Sequence, residues 1–349
     1  MRAAVLFGPN DFRIVDKPVP TPAAGEVLVK VAMCGTCATD LKIQTHPFPH
    51  QPPFGEFTPG HEWTGTVVVL GPDVDELRVG DRVAIEAHKG CGRCDNCLLG
   101  MYTACLNYGD ATKGHRTSGL TADGGFAEYV VHHVNALYRM PDNVAWEDAV
   151  LVTTAGTGLY GLDVAGGFVA GQSVAVIGPG PVGLMTVQLC KALGAQPVIL
   201  VGTRPARLEL GCRLGADVAL NPREQDVSAA IRTLTDGLGV DLVIEASGGM
   251  DAPQQCVEIV KRGGKILFLA FYPRRVTFDL TAAIRDDVTL YTSRGEGNLA
   301  VKRALSLAAQ GKLRGRDLVT HRFPLDDIQE GFRVVREREG DPIKVVFVP

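Results

Sequence analysis

No stretch of this 349-residue chain approaches the roughly 18 consecutive apolar residues that a bilayer requires. The opening MRAAVLFGPNDFRIVDKP also lacks an apolar core followed by a small-residue cleavage site, so the cytoplasm is the expected address. Charge of one sign is missing too. Thirty-five Lys and Arg stand against 39 Asp and Glu, and the net charge of -4 gives no electrostatic ground for binding nucleic acid or an anionic membrane. There is no internal repeat and no low-complexity linker, which sets aside solenoids and disordered arrays. Nor is there an even-numbered cysteine framework. The nine cysteines are an odd number, and four crowd between Cys91 and Cys105, a distribution that suits metal ligation in a reducing compartment better than disulfides.

What is present is enough apolar sequence for two cores: the chain is 46% hydrophobic and 21% charged, and its length exceeds what one core usually supports. The first 150 residues read as short apolar runs cut by Gly and Pro: MRAAVLF, EVLVKVAMCG, WTGTVVVLG, DRVAIEA and GFAEYVVHH. They predict an irregular, mostly antiparallel β domain. From about residue 171 strands and helices alternate: SVAVIG, a helix near Val182 to Leu193, PVILVG, a helix near Ala206 to Leu214, LVIEAS and KILFLAF. Alternation of this kind predicts βαβ units in a doubly wound parallel sheet, making the chain α/β. The tail returns to short strands and one helix, Leu299 to Gln310, so the first domain is expected to comprise residues 1–152 and 290–349 and the second 153–289.

Three motifs carry chemistry. GCGRCDNCLLGMYTAC spaces Cys91, Cys94, Cys97 and Cys105 as C-x2-C-x2-C-x7-C, which lets four thiolates close on one zinc at about 2.3 Å and leaves no open position. The zinc expected there is structural, with Lys89 and Arg93 near enough to offset its negative charge; two disulfides or unligated thiols are the competing reading. A second candidate set is Cys37 in CGTCATD with His61 and Glu62 in PGHEWTG, a donor set that leaves a position for water or substrate. Singly these residues say little, because a lone Cys is usually a small hydrophobe and a lone His a satisfied core or surface residue. Adjacent side chains on a strand point opposite ways, so His61 and Glu62 share an ion only if Pro59-Gly60 bends the chain.

The third motif, IGPGPVGLM, places Gly178, Gly180 and Gly183, with Pro181 and Val182 between, directly after a strand and opening a helix. This is the arrangement that brings a pyrophosphate to a helix N-terminus, against the competing reading of a merely tight turn. The following strand ends in Gly202-Thr203-Arg204-Pro205 where an NAD enzyme would carry an acid. Loss of that carboxylate, a forked Arg204, the Thr203 hydroxyl and nearby Arg207 favour a 2′-phosphate and hence NADP over NAD. The alternative is a solvated Arg204 and use of NAD.

In order and spacing, CGTCATD, GHEWTG, VGDRV, the cysteine knuckle, GGFAEYVV, PDNV and the glycine loop resemble the zinc-containing medium-chain dehydrogenase/reductase family over essentially the whole chain. The sorbitol-like polyol and threonine dehydrogenase branches are the most similar. The resemblance implies a GroES-like catalytic domain, a Rossmann-type coenzyme domain, and two zinc ions per chain, one catalytic and one structural. It implies an enzyme that transfers a hydride between a secondary alcohol (a polyol, sugar or related hydroxy compound) and NADP, giving a carbonyl product. Cys37 rather than Cys34 is then the metal ligand, His61 the second, and Glu62 a carboxylate that ligates directly or sits just outside. Thr39 matches the family's Ser/Thr that bonds the substrate hydroxyl and takes its proton. Lys42 stands where many relatives have a proton-passing histidine; it is either the next station or a side chain reaching solvent. Thr153, followed by Thr154, stands where some relatives carry a zinc-reaching glutamate. His88 matches a histidine lining the active site of threonine dehydrogenases.

The resemblance also implies a homodimer or homotetramer, with VTLYTS as an edge strand for pairing. The proline-rich HPFPHQPPFGEF is expected to form a loop that helps set specificity. Phe48, Phe54, Phe57, Trp63 and Tyr108 are either pocket wall or ordinary packing. Three competing functions are an NAD-linked threonine-type dehydrogenase, a reductase of activated double bonds without catalytic zinc, and a non-catalytic binding protein that kept the fold. The knuckle argues against the reductase, and the joint presence of Cys37, Thr39, His61 and Glu62 against the binding protein.

Overall fold

The computed structural model describes residues 1–349. It divides into two units, Met1–Thr153 with Gly295–Pro349, and Thr154–Arg294.

The first unit is built on the strand Glu26–Gly35, EVLVKVAMCG, whose Val27, Val29 and Val31 are buried while Lys30 is exposed. It pairs antiparallel with Glu62–Leu70, Tyr129–His133 and Lys344–Val348. The sheet extends through Arg82–Ile85 and Leu137–Arg139 on one side and Val319–Pro324 on the other. Where Gly65 crosses Val31 a Cβ would lie 2.3 Å from the Lys30 carbonyl oxygen, so only glycine allows the strands to meet there. At the core, Phe126 meets Phe12, Phe332 and Phe347 edge-on, with ring centroids 6.3, 5.6 and 5.4 Å apart. Each such pair contributes roughly 0.5–1.5 kcal/mol beyond its buried area. Phe332 comes from the helix Ile328–Glu337 and Phe347 from the last strand, so both ends of the chain are needed to complete this core.

The second unit is a six-stranded parallel sheet in the order Val218–Leu220, Val198–Val201, Val174–Ile177, Val240–Glu245, Val260–Phe268, Thr289–Thr292. This is the doubly wound order, with the strand order reversing beside the first strand. VAVI and VILV are buried at every position, as befits strands covered on both faces. The helix Pro181–Ala192 begins one residue ahead of the expected start because proline is preorganised for the first helical position, as Pro205 is in Pro205–Arg213. Thr289–Thr292 is still an edge strand of this sheet, and the chain re-enters the first unit only at Gly295. No helix is long and apolar enough to cross a membrane.

Candidate active site and metal centres

The strand Glu26–Gly35 delivers the chain to Cys37, which caps the short helix Ala38–Ile43. Asp40, fully buried in that helix, accepts a hydrogen bond from the Cys37 backbone N–H at 2.7 Å and brings its second oxygen to 3.3 Å from His61 Nδ1. That approach lies off the line of a good hydrogen bond, and both atoms are otherwise unpartnered. Gly60 has a φ of 98°, and a Cβ there would stand 2.8 Å from the Phe126 nitrogen and 2.9 Å from Cys34 Sγ. The bend leaves His61 just outside the strand that begins at Glu62, so the two neighbours escape the alternation of a regular strand. Cys37 Sγ, a His61 ring nitrogen and a Glu62 carboxylate oxygen consequently lie within 4.8 Å of one another. Cys34 is fully buried against Gly60, and burial pushes its thiol well up, as suits a packing residue.

The electrostatics of this set suit a cation. Burial works against charge on His61, yet Asp40 and Cys37 overcome it and hold the imidazole well above its usual range. A field that gathers a proton on His61 favours a divalent metal in its place, and a soft thiolate, an imidazole and a carboxylate are zinc donors. Glu62 is additionally paired with Lys344, a lysine only 2% exposed, whose ammonium also donates to the Thr36 carbonyl at 2.9 Å. A Cβ on Gly35 would come within 3.1 Å of Glu62 Oε2 and 3.3 Å of Lys344 Cδ, so glycine makes room for the pair. Neither Asp40 nor Lys344 was anticipated as a site residue. The signal for Lys344 was one cation inside the apolar PIKVVFVP, and for Asp40 an acid in a helix first turn.

Thr39 and Lys42, three residues apart on Ala38–Ile43 and both half-buried, share a helix face. Thr153 is buried and donates to the Ile85 carbonyl at 2.9 Å. His88 sits in the two-residue strand His88–Lys89 with its Nδ1 3.5 Å from Glu296 Oε2. Two residues earlier Glu86, 1% exposed, accepts from the Tyr138 hydroxyl at 2.8 Å. Burial foremost, with nearby Glu296 adding, pushes the Glu86 carboxyl up to about 8. Of the aromatic candidates, Phe57 and Trp63 are fully buried, and Trp63 donates to Ser118 Oγ at 3.0 Å, which makes them core.

The four knuckle cysteines are free thiols whose sulfurs lie within 4.8 Å of one another. Three amide N–H groups point at them: Asn107 Nδ2 to Cys91 Sγ at 3.2 Å, the Leu106 N–H to Cys94 Sγ at 3.4 Å, and the Asn107 N–H to Cys105 Sγ at 3.4 Å. Donors aimed at sulfur favour thiolate over thiol, and the cluster fits a tetrahedral zinc. Lys89 is close enough to feel Cys91, Cys97 and Cys105, whereas Arg93 is turned to the Thr112 carbonyl at 3.5 Å. Asn107 is a further residue that spacing alone did not reveal.

In the second unit the glycine loop joins the strand Val174–Ile177 to the helix Pro181–Ala192. Gly178 has a φ of 108° and packs against Ser247, while a Cβ on Gly183 would fall 1.9 Å from the Gly178 carbonyl oxygen. Gly180, the N-cap of Pro181–Ala192, has nothing within 4 Å of its missing Cβ, which leaves open space at the helix N-terminus. Pro181 and Val182 form the half-buried first turn. A Cβ on Gly202 would meet Pro179 Cδ at 2.4 Å, so a longer side chain is barred there as the loop stands. Thr203 is exposed, and Arg204 caps the helix that carries Arg207. Glu245, fully buried at a strand end, accepts from the Ser247 and Gly248 N–H groups at 2.7 and 3.0 Å and from the Tyr272 hydroxyl at 2.6 Å, bracing the turn that Gly178 touches.

Comparison with known proteins agrees with this architecture. Residues 23–142 match the alcohol dehydrogenase GroES-like domain and residues 181–310 the zinc-binding dehydrogenase domain. The chain is 35% identical to L-threonine 3-dehydrogenase of Pyrococcus horikoshii, over 96% of this chain and 94% of that protein. It is 30% identical to sorbitol dehydrogenase of Bacillus subtilis, over 100% and 97%. A putative zinc-binding dehydrogenase of Sinorhizobium meliloti, solved bound to NADP, superposes with a TM-score of 0.90 at 29% identity, covering 100% of this chain and 99% of that one.

Proposed function

This chain belongs to the zinc-containing medium-chain alcohol dehydrogenase family and is an oxidoreductase that uses zinc and a nicotinamide cofactor, and from that premise we propose that it oxidises a secondary alcohol of a polyol, sugar or related hydroxy compound with NADP. The observation that carries the proposal is the convergence of Cys37, His61 and Glu62 within 4.8 Å over a buried Asp40. These three residues would hold a catalytic zinc, and Cys91, Cys94, Cys97 and Cys105 a structural one. A zinc in the first set supplies Lewis acidity toward an alcohol oxygen, lowering the pKa of its hydroxyl.

The chain's own residues do the rest. Asp40 holds the Cys37 backbone N–H and sets its charge against the His61 ring from one carboxylate. Lys344 holds one oxygen of Glu62, so the other can face the metal while the carboxylate stays oriented. The Thr39 hydroxyl, able to accept and donate, takes the substrate hydroxyl proton. Lys42, on the same helix face, is the next station toward solvent. His88 contacts the substrate away from the reacting hydroxyl. Open space at Gly180 receives the pyrophosphate, and Gly202 with Thr203, Arg204 and Arg207 accepts the 2′-phosphate.

The test is a substrate panel of polyols, sugars, 2,3-diols and L-threonine, read by nicotinamide absorbance with NADP+ and NAD+ in parallel. A preference for NAD+ by about tenfold or more overturns the reading of Gly202 and Arg204. The 35% identity to an L-threonine 3-dehydrogenase supports a second reading in which the alcohol is L-threonine. A kcat/KM for L-threonine above that of every polyol would establish it. Family membership further supports a homodimer or homotetramer, to be checked by light scattering.

A further inference from the structure

His88 is held more tightly than a residue that merely lines a pocket needs to be. Its strand pairs His88 with Thr117, and the side chain is about nine-tenths buried. Glu296, 5% exposed, places Oε2 3.5 Å from the ring Nδ1 and takes the Ala87 N–H on the same oxygen at 3.3 Å. The preceding residue, Gly295, has a φ of 67°, and a Cβ on it would stand 2.7 Å from His88 Cε1 and 2.8 Å from Nδ1. Residues 295 and 296 thus close over one edge of the imidazole, one by having no side chain and the other by offering a carboxylate. Glu86, turned to Tyr138, is a neutral acid at neutral pH and does not compete for the ring.

A carboxylate oxygen only accepts, so Nδ1 must carry the proton, and a neutral ring then leaves a lone pair on Nε2. The ring's hydrogen-bond contact is through Nδ1, which leaves Nε2 to meet a ligand. We propose that Glu296 is a positioning residue that locks His88 as the Nδ1–H tautomer, so that Nε2 accepts from a donor on the substrate. The donor is a second hydroxyl or an ammonium beside the reacting alcohol, and a phosphate, itself an acceptor at neutral pH, is disfavoured. The substrate half of this inference rests on the reading of His88 as a substrate contact.

Long-range proton–nitrogen spectra of the zinc-loaded, histidine-labelled dehydrogenase read the tautomer directly, with His88 assigned by its loss in His88→Ala. The wild type is expected to show a protonated Nδ1 and a bare Nε2, Glu296→Gln a mixture of tautomers, and Glu296→Asp a partial return to the wild-type pattern. In parallel kinetics with D-sorbitol and L-threonine, Glu296→Gln is expected to raise KM by about tenfold, the loss of one well-placed hydrogen bond, with kcat changed by less than about twofold. A wild-type proton on Nε2, or a Glu296→Gln enzyme with the wild-type tautomer, overturns the positioning role. An unchanged KM in His88→Ala beside an Nδ1–H wild type overturns instead the reading of His88 as a substrate contact. Preference for a polyol phosphate over its parent polyol overturns the donor assignment.

Discussion

Single side chains in this protein are held by partners far away in sequence, and Lys344 shows the cost of losing one. Its ammonium is buried against Glu62, 282 residues earlier, and against the Thr36 carbonyl. Lys344→Met would strand the Glu62 carboxylate without its counter-charge, and breaking a buried pair from one side costs about 3–5 kcal/mol. The expected result is a clear drop in Tm and a loss of zinc from the Cys37 site, measured by calorimetry and metal analysis, with Lys344→Arg milder on both. Arg204→Ala is expected to raise the KM for NADP+ by about tenfold or more and leave that for NAD+ unchanged, as removal of a charge-assisted contact to a phosphate should. Steady-state kinetics with both cofactors decides it, and equal effects on the two would sink the assignment.

At the scale of elements, loop–helix and loop–strand junctions hold the proposed site residues, and neighbouring glycines there are expected to do different jobs. Gly183→Ala forces a methyl to within 1.9 Å of the Gly178 carbonyl and should unfold the second unit's first turn, lowering both stability and cofactor affinity. Gly180→Ala meets nothing in the protein, so Tm is expected to hold while affinity for the dinucleotide falls. A fall in Tm for Gly180→Ala would contradict the open space assigned there. The knuckle makes a separate prediction: metal analysis should find two zinc ions per chain, and Cys97→Ser should leave one. What was legible in the sequence follows the same division. The knuckle and the glycine loop were readable because their partners lie within a few residues and geometry fixes the spacing. The placement of Cys37 with His61 and Glu62 needed the resemblance, since nothing local says that two loops converge. Asp40, Glu296 and Lys344 were missed because each acts through a contact made only by tertiary folding, and their local sequences look like an ordinary helix turn, a loop and a strand.

For the whole molecule, acidity should act through buried groups of the first unit. His132, fully buried beside Trp63, is pushed down to about 3, by burial first and then by Arg116 and His133. Its unfolded form takes a proton below about 6.5 and its folded form refuses it until about 3, so this contribution is full above 6.5 and lost as pH falls. Glu86 runs the other way: the unfolded carboxyl ionises near 4.5 while the folded one keeps its proton to about 8, so stability is lost as pH rises between them. These two groups together place the first unit's greatest stability between about pH 4.5 and 6.5, and Glu86→Gln should lessen the alkaline decline. Both tryptophans, Trp63 and Trp146, belong to this unit, so urea titrations followed by tryptophan fluorescence read it alone. An alkaline decline as steep in Glu86→Gln as in the wild type would refute the assignment. The pairing of Lys344–Val348 with Glu26–Gly35 has one more consequence, for synthesis on the ribosome. The parallel sheet is contiguous and has every strand it needs before translation reaches Gly295, whereas the unit begun first is finished last. Until Lys344 emerges, the nascent cradle of Cys37 and His61 lacks the cation that steadies Glu62, so metal loading at that centre is expected only after Lys344 has been made.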